Sequence, residues 1–223
     1  MTAAKGTIDC AGLIERAGDD KVALAVFSAA IAAADNSLIK ESLRALLRRG
    51  AAVEQLYEII LQSYLFCGFP RMLEALFNFA ELVDPAEYIS EAAPEPLAYS
   101  AAESARFESD GRALIQRVYG ANYERLERAV REMSPEIFRW MALEGYGKTL
   151  SRPGLDIVAR ELSIVAALTV DGRARQLRAH LRGALNVGAG KAQISETLDV
   201  TAPLAGEKHS DLARRLFSEL CER

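Results

Sequence analysis

The chain has 223 residues, half of them hydrophobic and 26% charged, with a net charge of −4, which is ordinary for a globular protein large enough to bury a core without staples. The acidic balance gives no electrostatic reason for nucleic acid or an anionic membrane as partner, and no apolar run approaches the roughly 18 residues of a membrane span. Two histidines and three scattered cysteines (Cys10, Cys67, Cys221) give no metal-ligand spacing, and the N-terminal stretch lacks the apolar core of a secretory signal, so the expectation is a cytoplasmic protein with free thiols and no metal or cofactor.

In chain order, residues 21–34 (KVALAVFSAAIAAA) are Ala-rich and apolar, as in a buried helix. Residues 37–49 place Leu38, Leu43, Leu46 and Leu47 on one side, with Gly50 as a stop. Helices are predicted at 53–66 and 70–82, separated by Cys67-Gly68-Phe69-Pro70, where Gly ends one helix and Pro opens the next. Pro85, Pro94 and Pro96 then interrupt the pattern, and 85–104 reads as a linker. Helical periodicity resumes at 106–132, 134–147, 153–169, 171–187, 191–204 and 208–222. No strand is predicted, and the fold class is all-α.

Residues 42–70 align without a gap on residues 180–208. Leu43 meets Leu181, Gly50 meets Gly188, Gln55 meets Gln193, and Gly68 meets Gly206. The chain therefore reads as two copies of one helical unit, the first over 1–84 and the second over 105–223. Two apparent motifs fail on inspection. GALNVGAGK lacks phosphate-loop spacing and follows a helix, not a strand. LRALLRRGAAVEQLYEIIL has acidic and apolar residues where a DNA-reading helix needs basic or amide groups.

One constellation carries chemistry. Glu161 has Ile157 and Val158 one turn behind it and Ile164 and Val165 one turn ahead. A carboxylate so placed loses hydration, which suits proton transfer. A short turn at Val170-Asp171-Gly172 makes the next helix antiparallel. At about 1.5 Å rise per residue, Glu161 and His180 lie at matching heights from that turn and can face each other. Arg173 and Gln176, seven and four residues before His180, fall on its face. The competing reading is a core histidine, with Glu161 paired to Arg160 or Arg178.

Residues 145–198, from GYGKTLSRPGLD to KAQISETL, resemble the carboxymuconolactone decarboxylase family, which includes the alkylhydroperoxidase D-like proteins. The matching pieces are SRPGLD, the Arg160-Glu161 pair, the small-residue helix, HxxxALxxG and Glu196. GAAVEQLYEIILQSYLFCGFP in the first copy is similar to the family's glycine, helix and G-x-P turn. The resemblance implies a helical fold that assembles around three-fold symmetry, hence a homo-oligomer, trimer or hexamer. Thiol peroxidase members carry CxxC between the Glu and the His. Here those two positions hold Arg173 and Gln176, neither of which can attack a peroxide. The chain is more similar to the decarboxylase members. That implies a cofactor-free lyase acting on a small carboxylated lactone or related carboxylate. Glu161 and His180 would be catalytic, and Arg173 and Gln176 would bind substrate. In the first copy the four positions hold Ala23, Asp35, Leu38 and Ser42, so one site per chain is expected. The alternatives are a non-catalytic helical oligomeric or binding protein that keeps the fold, and a thiol-dependent peroxidase using Cys67.

Overall fold

The computed structural model describes residues 8–89 and 99–222. It is all-α, and each of the two expected copies holds a quartet of helices. The first comprises α2 (Asp20–Ala33), α3 (Asn36–Arg49), α4 (Val53–Cys67) and α5 (Phe69–Ala80). The second comprises α9 (Ile157–Asp171), α10 (Ala174–Val187), α11 (Lys191–Ala205) and α12 (Glu207–Cys221). A short α1 (Cys10–Arg16) precedes the first quartet and packs on α3. Among the described residues, no helix is long and apolar enough to cross a membrane.

The helix ends explain the matching glycines. α3 stops at Gly50 (φ +90°) and α10 at Gly188 (φ +108°). Both cap residues are left-handed, a conformation that costs a side-chain-bearing residue free energy. The following helices begin alike. Gln55 accepts from the backbone N–H of Ala52 at 3.1 Å, and Gln193 from that of Gly190 at 2.9 Å.

α2 and α9 are apolar on nearly every face, as buried helices must be. They pack against each other at the centre of the molecule. The Ser28 hydroxyl crosses this contact to donate to the Ser163 carbonyl at 2.8 Å. α4 lies against α9, and α11 lies against α2. Each copy thus contributes a helix to the other's core, and the two quartets share one interior.

Between the quartets run α6 (Ala101–Tyr119), α7 (Tyr123–Met133), α8 (Pro135–Trp140) and a π-helical segment, Met141–Leu150. Several sequence expectations shift here. Of the expected linker, Pro85–Glu87 is a single 3-10 turn. Residues 90–98, with Pro94 and Pro96, lie outside the described residues. α6 already begins at Ala101, because Ser100 and Glu103 cap it reciprocally. The helix expected over 106–132 is two helices, divided at Gly120 (φ +52°). The helix expected over 134–147 widens to π geometry after six residues. The hydroxyls of Thr149 and Ser151 donate to the carbonyls of Glu144 and Tyr146, five residues back. The segment packs against α6 backbone to backbone. A Cβ on Gly111 would fall 1.8 Å from the Ala142 carbonyl oxygen, and one on Gly147 would fall 1.9 Å from that of Phe107.

Candidate active site

α9 and α10 run antiparallel around the Gly172 turn, which sets Glu161 opposite His180. The gap between His180 Nδ1 and Glu161 Oε2 is 3.0 Å. The two side chains are 3% and 1% exposed. With Glu161 a carboxylate, Nδ1–H donates, which fixes the tautomer and leaves Nε2 as the atom that can meet a ligand. The arginines that could have claimed Glu161 are engaged elsewhere. Arg160 donates to Glu58 Oε2 at 2.7 Å, and Arg178 pairs with Glu219. The chain's other histidine, His209, uses Nδ1 to donate to the Val170 carbonyl at 2.9 Å.

The pair is held from all sides. The Phe66 ring stands edge-on to the imidazole at 5.3 Å between centroids, and Tyr119 lies 6.5 Å away. Gly183 lets α10 approach: a Cβ there would sit 2.8 Å from both Glu161 Oε2 and Val118 Cγ1. The phenols of Tyr119 and Tyr146 are 3.5 Å apart. Burial pushes both above the usual phenol range, and for Tyr146 the neighbouring Tyr119 and Glu161 push the same way.

His180 borders a cavity of about 890 Å³. The first copy forms one wall through Tyr57, Leu61, Tyr64 and Leu65 of α4 and Phe69 and Met72 of α5. The π-helical segment forms another, because its wide turns point Glu144, Lys148 and Thr149 among others at one space. The site is therefore assembled from both copies. Arg152 also lines it, its side chain 41% exposed, with Nε donating to Glu58 Oε1 at 2.9 Å. Glu58 is shared: its other oxygen accepts from the fully buried Arg160. One carboxylate between two guanidiniums leaves an excess of one positive charge at this wall.

Of the residues singled out from the sequence, Glu161, His180 and Gln176 come together, with Gln176 on the cavity's lining. Arg173 does not join them. It is the residue before the first turn of α10, with non-helical backbone (φ −83°, ψ 73°), so helical spacing does not carry its side chain to the His180 face. The side chain is 66% exposed and donates to Asp171 Oδ2 at 2.6 Å. Burial opposes ionisation of Asp171, but Arg173 and Arg71 outweigh it and hold that carboxyl below its ordinary value. The guanidinium on the cavity is instead that of Arg152, within the SRPGLD segment. No local pattern marks it, since its partner Glu58 is 94 residues away. The α4 wall did leave a signal: Tyr57, Leu61, Tyr64 and Leu65 recur at helical spacing.

The first copy has no counterpart site. Ser42, at the place of His180, is buried and donates to the Leu38 carbonyl at 2.7 Å. Cys10 of α1 hydrogen-bonds with it, the thiol pushed up to about 11 by burial. Cys67, the residue weighed for redox chemistry, is likewise pushed up to about 11 by burial, which the nearby Arg71 only partly offsets.

A profile of the carboxymuconolactone decarboxylase family matches residues 135–218, the stretch that holds Arg152, Glu161, Gln176 and His180. The chain is 28% identical over 156 residues to Peroxisomal protein 2 of Schizosaccharomyces pombe, covering 69% of this chain and 70% of that protein. It is 35% identical over 98 residues to an uncharacterized 15.0 kDa protein of the nqo9-nqo10 intergenic region of Paracoccus denitrificans, covering 41% and 73%. It is 35% identical over 75 residues to the 4-carboxymuconolactone decarboxylase of Acinetobacter baylyi, covering 34% of this chain and 56% of that enzyme.

Proposed function

Because the chain belongs to the carboxymuconolactone decarboxylase family, we propose that it is a cofactor-free lyase that removes CO₂ from a carboxylated substrate by proton transfer through His180 and Glu161. The observation that carries this reading is the buried 3.0 Å contact between His180 Nδ1 and Glu161 Oε2 at the edge of a large cavity. A histidine oriented by a carboxylate is a competent general acid or base near neutral pH.

In this reading Arg152 and Gln176 hold the substrate. The guanidinium anchors an anionic group, for which its planar fork is suited. The apolar walls strip water from the leaving carboxylate. Its C–C bond breaks, CO₂ departs, and the bonding electrons move into a conjugated carbonyl of the substrate to give an enolate. The imidazolium of His180 delivers its Nε2 proton to the carbon that lost CO₂, while Glu161 stabilises the imidazolium through Nδ1. Water returns one proton to Nε2, so each turnover consumes one proton and releases one CO₂.

The test is CO₂ release from conjugated carboxylates, both the compact 4-carboxymuconolactone and aryl- or alkyl-bearing members of the same class. His180→Ala and Glu161→Gln should each lower kcat by about 10²–10⁴-fold, the usual range for a lost acid–base group, with unchanged helical content by circular dichroism. Wild-type turnover in His180→Ala would withdraw the assignment.

A further inference from the structure

We infer that the site takes an anion with a bulky apolar body, a fused-ring or long-chain acid, in preference to a compact polar acid. This deepens the proposed reaction and rests on that reading only for which part of the ligand meets His180.

The first observation is size. About 890 Å³ falls toward the top of the roughly 300–1,000 Å³ typical of pockets that enclose drug-sized molecules. A compact acid would leave most of it unfilled.

The second is the character of the walls. Seven of the chain's aromatic residues (it has one Trp, seven Tyr and eight Phe) border this one cavity. Trp140 and Phe69 are exposed and also border it, while Tyr119 stands near the imidazole with Tyr146 beside it. Leu61, Leu65 and Met72 fill much of the remainder. Such surfaces favour flat or aliphatic bodies and penalise unpaired oxygens.

The third is how the polar groups on the walls are occupied. The hydroxyls of Tyr64 and Thr149 bond to each other at 3.0 Å. Lys148 and Glu144 form an ion pair at 3.8 Å and add no net charge. The Tyr119 and Tyr146 phenols face each other. The Glu161–His180 pair is neutral overall when His180 is the imidazolium, so among the described groups on the walls the Arg152–Glu58–Arg160 cluster then leaves the excess charge, a single positive one. The cavity is thus complementary to one anionic group on an otherwise apolar molecule.

Trp140 is the chain's single tryptophan and lines the cavity, so its emission reports occupancy in the full-length protein. The probes are 1-pyrenebutyrate, which quenches tryptophan by energy transfer, and 1-pyrenebutanol, its neutral analogue. Laurate and succinate are read by displacement of pyrenebutyrate. Pyrenebutyrate or laurate should bind at least about 100-fold more tightly than succinate, and their order separates ring from chain. Arg152→Gln should weaken pyrenebutyrate about tenfold or more, as expected for a lost charged hydrogen bond. The same variant should leave pyrenebutanol nearly unchanged, which also shows that it is folded. Succinate binding within about tenfold of pyrenebutyrate, or an unchanged acid-to-alcohol ratio in Arg152→Gln, overturns the inference. Binding is measured in His180→Ala as well. Tight binding with no turnover in the wild type keeps the ligand class and removes the reaction; turnover of a compact acid with no binding of the bulky ones does the reverse.

Discussion

Gly183 is where the candidate pair is most tightly constrained. Alanine is the better helix former by about 1 kcal/mol, but its Cβ would press on Glu161 Oε2 and Val118 Cγ1 at 2.8 Å. Overpacking of this kind costs about 1–3 kcal/mol. Gly183→Ala should therefore lower stability in urea and also lower turnover, because the Glu161 carboxylate must move; a variant as stable as the wild type would contradict the packing. Cys67 gives a second test at this scale. A thiol raised from 9.0 to about 11 has roughly a hundredfold less thiolate at neutral pH than a free one, so iodoacetamide should label it slowly in the folded protein and quickly in urea. The sign for stability follows: the folded thiol binds its proton more tightly, so its contribution is full below pH 9.0 and is lost as pH rises toward about 11. Cys67→Ser should flatten part of that alkaline loss. Glu161 and His180 were legible from spacing because both lie inside regular helices, where a 3.6-residue period fixes direction. Arg173 was misplaced because it precedes the first turn, where that period does not apply.

Among the elements, the π-helical segment has the largest effect on the cavity and was the least legible. A search for apolar residues at helical spacing detects a helix over 134–147 but cannot register the change in winding. Its contact with α6 depends on two glycines that carry no pattern at all. Gly111→Ala would place a methyl 1.8 Å from the Ala142 carbonyl oxygen. The expected result is a loss of about 2 kcal/mol or more, seen as a drop of several degrees in Tm, together with weaker ligand binding as the wall shifts. The onset of α6 was readable in principle, since Ser100 and Glu103 form an S-x-x-E cap. The prolines just before it outweighed that signal and extended the expected linker too far.

For the whole molecule, the helix ends at Gly50 and Gly188 were legible because a left-handed cap favours glycine. Which helices touch was not legible, since nothing local says that α4 rests on α9 and α11 on α2. One apolar surface is left largely uncovered by the described residues. Phe69, Leu73 and Phe77 recur every four residues along α5, and all three are exposed. A stripe of this kind marks an association surface, consistent with the trimer or hexamer expected from the family resemblance. Light scattering should find such an assembly, and Phe77→Glu, a position away from the cavity, should shift it toward single chains. A wild-type protein that scatters as a single chain would discard this expectation.

The duplication has one more consequence. In an assembly of identical single-unit chains, any change in one subunit appears in all of them, so no site can be given up without giving up every site. Joining two units in one chain removes that constraint. Ser42 and Cys10 could close one position while α4 of the same unit became a wall of the other. In this chain the first unit holds Ser42 where the second holds His180, and it lends α4 to the cavity beside that histidine, a division of roles that a single covalent chain permits.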